Sequence, residues 1–174
     1  SCATVNRRLA TLRSLIRKAH AAHLIPWTLD VANVASSAAP RRGGKYNRRA
    51  IFNLLMVLLE SRGDPKSLRD RAAVRLLFDL SLRRDEVVSL DVEHVDLEAL
   101  TLAVQRKREP DREILPLSTP TSLALEMWLE ARGRESGPLF VNFDRAGKGR
   151  RLTGRSLYRI VTGLGQELGV RITP

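Results

Sequence analysis

The chain of 174 residues contains one cysteine, Cys2, so no disulfide can form within it, and a reducing compartment such as the cytoplasm is expected. No apolar run approaches the roughly 18 residues a membrane span needs, and the first residues lack the apolar stretch of a signal peptide. Aromatic residues make up 5% of the chain, too few for a platform on which successive bases of a single strand would stack. One cysteine and three scattered histidines (His20, His23 and His94) offer no metal-ligand set, and Asp79, Asp85, Asp91 and Asp96 lack the pairing that two-metal chemistry uses. Gly147-Lys148-Gly149 lacks the longer glycine-lysine frame of a nucleotide loop. Neither a metal nor a nucleotide cofactor is expected.

Acidic residues are also scarce. Thirty Lys and Arg face 19 Asp and Glu, leaving a formal charge of +11 and an outward field that attracts polyanions. With membrane insertion set aside, nucleic acid is the leading partner. Arginine supplies most of the charge, and its planar fork suits bidentate phosphate contacts.

The apolar periodicity predicts a mainly α fold with a small antiparallel sheet. Thr4 to Leu24 carries Val5, Leu9, Leu12, Leu15, Ile16 and Ala19 at helical steps, with Arg7, Arg8, Arg13, Arg17 and Lys18 around them. A lone helix cannot bury such a stripe, so residues 1–35 read as the end of a helical domain. Residues 36–47, with Pro40, Gly43 and Gly44 and the unopposed cations Arg41, Arg42 and Lys45, read as a basic linker. The second domain, residues 48–174, shows helical spacing over Arg48–Glu60, Ser67–Leu80, Arg84–Leu90, Thr119–Arg132 and Thr153–Leu168. Short apolar runs at Leu100–Val104 and Glu113–Leu117 predict a strand pair, and Pro138–Phe143 a further β-rich run. Lys148, Arg150, Arg151 and Arg155 surround a glycine-containing turn that leads into the last helix, an arrangement suited either to phosphate or to solvation.

Residues 69–97, RDRAAVRLLFDLSLRRDEVVSLDVEHVDL, resemble the first catalytic box of the tyrosine recombinase or phage integrase family. In that family an aspartate-containing helix runs into a Gly-Leu-Arg-x-x-Glu turn. Here the turn is Ser81-Leu82-Arg83-Arg84-Asp85-Glu86, with Ser81 at the glycine position. Residues 102–117, LAVQRKREPDREILPL, resemble the family's hairpin, in which a Gly-Lys-Gly turn precedes a Val-Pro-Leu-like strand. Lys107 falls on that lysine, and Arg106 and Arg108 replace its glycines. The order of the later segments also agrees, so the resemblance spans about Arg48 to Pro174.

The resemblance implies an integrase-type catalytic domain preceded by the end of its core-binding domain. Site-specific recombination of double-stranded DNA through a 3′-phosphotyrosine link is implied, with other recombinase protomers as partners in a synaptic complex. Arg83 would neutralise charge on the scissile phosphate, Glu86 would hold Arg83, and Lys107 would protonate the departing 5′-oxygen, with Arg108 and Arg112 as alternatives. Arg84, Arg106 and Arg108 join Arg41, Arg42, Lys45, Lys148, Arg150, Arg151 and Arg155 as candidate DNA contacts. The family's His-x-x-Arg box and tyrosine nucleophile belong after a segment like Gly169 to Pro174, and the chain stops there, so it is expected to be inactive alone. Tyr46 and Tyr158 do not match the nucleophile position, and the three histidines are expected to be structural or surface residues.

Blander readings account for the same residues. Arg83 and Glu86 are spaced like a surface helix pair, and a charged hairpin tip can be merely solvated. A non-catalytic DNA-binding protein of recombinase shape, or a basic RNA-binding protein, also fits the charge.

Overall fold

The computed structural model describes residues 2–28, 32, 34, 47–106, 109, 111–144 and 147–174. Two compact units divide the chain, Ser1–Tyr46 and Asn47–Pro174.

The first unit is built on α1, Cys2–Ala21. It ends before the predicted Leu24 because His23 takes a left-handed φ of 56°, which lets the Leu24 N–H return 2.9 Å to the Ala19 carbonyl. The Asn6 amide donates to the Val34 carbonyl and accepts from the Val34 N–H, at 3.0 and 2.8 Å, tying residue 34 to the helix. Leu9, Ile16 and Ala19 are half-buried, whereas Val5, Leu12, Leu15 and Trp27 remain exposed. The apolar stripe is thus only partly covered.

In the second unit the order is α2 (Arg48–Glu60), α3 (Pro65–Asp79), α4 (Arg84–Ser89), β1 (Val95–Asp96), β2 (Thr101–Gln105), β3 (Arg112–Pro116), α5 (Thr119–Arg132) and α6 (Gly154–Glu167). The helix starts are written in the sequence. Asn47 accepts from the Arg49 N–H, Asp64 from those of Lys66 and Ser67, and Thr153 from that of Ser156. Each such cap is worth about 1 kcal/mol. Asp64 followed by Pro65 moves the start of α3 two residues ahead of the periodicity-based boundary at Ser67.

Helix α3 is the central element. Ser67, Arg69, Asp70, Ala72, Ala73, Val74 and Leu76 are all buried, so it is covered on more than one face and has little amphipathic contrast. Ala72 and Ala73 leave room for close neighbours. Against it lie α2, through a parallel stack of Phe52 on Phe78 with centroids 4.0 Å apart, and α5, where Thr121 Oγ1 donates to Asp79 Oδ2 at 2.6 Å. Trp128 of α5 is fully buried, and its indole N–H donates 2.8 Å to the Leu139 carbonyl. Truncating such a residue to alanine costs about 3–5 kcal/mol.

The sheet is antiparallel in the order β1-β2-β3, and Leu102 faces Leu115 while Gln105 faces Arg112. Leu102 and Val104 point into the core, and β3 keeps Ile114 exposed. The expected β-rich run at Pro138–Phe143 does not form a strand. It makes isolated bridges, from Pro138 to Asp91, Val141 to Arg151 and Asn142 to Lys148, because its partners lie in two separate turns, one of them the tight glycine-containing turn at 147–151, and not on one extended segment.

Candidate active site

The turn between α3 and α4 carries the best-defined cluster. Ser81 has a φ of 51°, in the left-handed region that glycine enters freely and other residues enter at a cost of about 1–2 kcal/mol. That conformation sends Leu82 into the core and leaves the next residue, Arg83, outside. A serine at the motif's glycine position therefore adopts a glycine-like conformation.

Glu86 lies at the third position of α4 and is buried. Its Oε2 accepts from the Arg83 backbone N–H at 2.8 Å, and its Oε1 from the Arg83 guanidinium at 2.8 Å. A second guanidinium, that of Arg106 at the end of β2, donates to Oε2 at 2.8 Å and through Nε to Glu113 at 2.6 Å. Burial pushes the Glu86 carboxyl up, but the Arg83 N–H, the Arg83 guanidinium and the Arg106 charge together outweigh it and hold the group below its ordinary value. Glu86 is therefore ionised throughout the neutral range.

The Arg83 side chain is 72% exposed while its Glu86 partner is 6% exposed. An ordinary surface pair exposes both partners. Here a buried anion grips one edge of a guanidinium and leaves the rest in solvent, beside an open hollow of about 800 Å³ lined by Ser81, Arg83, Arg106, Arg112 and the acids Glu109, Asp111 and Glu113. A guanidinium held in this way can meet an anion without reorganising.

The remaining candidates separate. Arg84 lies over the ring of Tyr158, 5.5 Å from its centre, and with Asp85, Gly154 and Arg155 they line a smaller recess of about 350 Å³. An added Cβ at Gly154 would stand 2.7 Å from the Asp85 carboxylate, so a larger residue there would push the Asp85 side chain aside. Lys148, Arg150 and Arg155 are exposed. Arg151 turns inward: it donates to the carbonyls of Val88 and Leu90 at 3.0 and 2.9 Å and pairs with Asp91, closing the end of α4. Arg41, Arg42, Lys45, Lys107 and Arg108 lie outside the described residues. His94 has a structural part, as its Nδ1 accepts from the Asp91 N–H at 3.0 Å. Burial, then the nearby Arg112, keep it below its ordinary value and favour the neutral ring. Among the described residues, no group of three or more His, Cys, Asp or Glu side chains is placed to hold a metal ion.

Sequence reasoning missed the bond between Arg106 and Glu86. Twenty residues separate them, and no periodicity links a strand end to a helix start. It also missed the buried pair Arg69–Asp70, in which Arg69 donates to Asp70 at 2.8 and 2.6 Å and to the Val141 carbonyl at 2.9 Å.

Residues 50–174 match the model of the phage integrase family. The chain belongs to that family. Among relatives of this integrase-family chain, a tyrosine recombinase XerC of Shewanella sp. (strain W3-18-1) is 34% identical over 143 residues, which cover 79% of this chain and 46% of the relative. A XerC of Herpetosiphon aurantiacus is 32% identical over 178 residues, covering 98% and 56%. Tyrosine recombinase slr0733 of Synechocystis is 29% identical over 173 residues, covering 97% and 54%. The crystal structure of XerA recombinase shares the fold, with a TM-score of 0.61 at 22% identity over 74% of this chain and 46% of that one. The chain spans about half the length of the curated relatives it matches. No helix among the described residues is long and apolar enough to cross a membrane.

Proposed function

We infer that this chain supplies the phosphate-handling part of a DNA strand-exchange site. One observation carries the reading: the Arg83 guanidinium stands in solvent while the carboxylate that orients it is buried. In the reaction of the family, a tyrosine oxygen attacks the scissile phosphorus, a 3′-phosphotyrosine bond forms, and the bond to the 5′-oxygen breaks. Arg83 offsets the charge that builds on the non-bridging oxygens of the pentacovalent phosphate. Lys107 gives its proton to the departing 5′-oxygen, which leaves as a hydroxyl. The phosphotyrosine retains the bond energy, so rejoining to another strand needs no external source. Double-stranded DNA and further protomers of a synaptic complex are the partners of this reading.

These 174 residues contain no His-x-x-Arg sequence, and neither Tyr46 nor Tyr158 stands at the nucleophile's place in the motif order. Alone, the chain is expected to bind duplex DNA without cleaving it. Incubation with a nicked suicide duplex tests this, and a covalent adduct on Tyr46 or Tyr158 overturns it. Binding is expected to weaken linearly in log–log terms as salt rises. Absent or salt-independent binding removes the DNA assignment. Preference for structured RNA over duplex DNA, with Arg83→Ala neutral, would favour an RNA-binding protein instead.

A further inference from the structure

Arg106 occupies a position that the family motif gives to glycine, and it is built into the cluster rather than left to wave in solvent. Its Nη1 holds Glu86 Oε2 at 2.8 Å and its Nε holds Glu113 at 2.6 Å, and its side chain is 24% exposed. With two carboxylate partners, its guanidinium favours the charged form even more strongly than usual, the Glu113 hydrogen bond being the main cause. A glycine at this place would leave Glu86 to Arg83 alone.

We propose that Arg106 is a positioning residue for Arg83, acting through their shared carboxylate, Glu86. The inference rests on the reading of Arg83 as a phosphate ligand. One consequence follows from the geometry. The Arg83 backbone N–H and the Arg106 guanidinium both hold Oε2, so the carboxylate plane is braced from two sides and Oε1 keeps its bond to the Arg83 guanidinium. The positive charge that Arg106 brings is offset by Glu113, so its effect on Arg83 is one of aim.

The test uses the whole chain with duplex DNA as the probe and follows the side-chain Nε–H resonance of Arg83, assigned by its loss in Arg83→Lys. In Arg106→Gln, this resonance is expected to move in the free protein, and its shift on adding duplex to fall by at least half. Overall affinity for the duplex should fall no more than about threefold, since many other cations contact phosphates. Arg106→Lys, which keeps the charge, should restore much of the response. This split between a local signal and total affinity is not produced by a merely structural arginine. An unchanged Arg83 resonance and an unchanged response in Arg106→Gln would overturn the proposal. If the unsubstituted chain binds no duplex, the nucleic-acid reading fails, and the free-protein comparison still judges whether Arg106 governs Arg83. If Arg106→Gln does not fold, Glu113→Gln loosens Arg106 without touching Glu86 and should show the same changes at smaller amplitude; no change there overturns the proposal.

Discussion

The second unit contains two arginine–carboxylate pairs close in sequence and opposite in design. In Arg69–Asp70, both side chains are buried, at 3% and 8% exposure, and the arginine also ties α3 to the Val141 carbonyl and lies over the Phe143 ring. In Arg83–Glu86, the acid is buried and the base is 72% exposed. The first guanidinium is used up inside the fold. The second is held by its edge and offered to solvent. Charge type and spacing do not separate the two cases, whereas the asymmetry of burial does.

That contrast can be broken most severely at Arg69. Arg69→Ala leaves the Asp70 carboxylate buried without a partner and should cost about 3–5 kcal/mol, measured by chemical denaturation. Molecules that remain folded should bind duplex DNA nearly as well as before. Glu86→Ala should cost less, about 2–3 kcal/mol, because the groups it strands, the Arg83 N–H and the two guanidiniums, have partial access to water. Its pH signature sharpens the comparison. The folded Glu86 titrates below its ordinary value, so its stabilisation is present above the ordinary glutamate range and is lost as pH falls through the folded value. Asp70 has the opposite sign: burial raises it despite Arg69, so its contribution favours the folded state below the ordinary aspartate range and declines as pH rises through the folded value. Denaturation midpoints of Glu86→Gln and Asp70→Asn followed against pH should diverge from the parent in opposite directions.

Arg151→Met should cost about 2 kcal/mol through the lost carbonyl bonds at the end of α4, with little change in the salt dependence of duplex binding. A reduced salt slope with unchanged stability would return Arg151 to the DNA-contacting set. The smallest effect on folding belongs to Arg83→Ala, about 1 kcal/mol, because the buried Glu86 loses one guanidinium but keeps the backbone N–H of residue 83 and Arg106. There the change should appear in the duplex titration, as a salt slope smaller by about one. If Arg83→Ala destabilised the fold as much as Arg69→Ala, the two pairs would not differ in kind.

Much of this was legible in the residues alone. The bounds of α2 and α5 agree with the apolar periodicity residue for residue, since each packs one face on the core and ends at a cap or a glycine. The Ser81-to-Glu86 turn was recognisable as a motif because its chemistry is local in sequence. What was not legible is long-range. β1 has two residues and no periodicity of its own, and Arg151 is equally basic whether it meets a phosphate or the Val88 carbonyl. Arg106 was assigned to DNA from its charge, and its bond to Glu86 depends on a strand end arriving beside α4.

Helix α4 has one further consequence. It is six residues long, so at 1.5 Å per residue it is a strut of about 9 Å. Glu86 holds Arg83 at its beginning, and Arg151 clasps the Val88 and Leu90 carbonyls at its end, where the chain has just left the basic turn that carries Lys148 and Arg150. Both ends being fastened, the strut works as a gauge: it sets the distance between the exposed Arg83 guanidinium and the exposed cations of that turn. Under the function proposed above, a duplex whose backbone spacing departs from that gauge would have to deform to engage both.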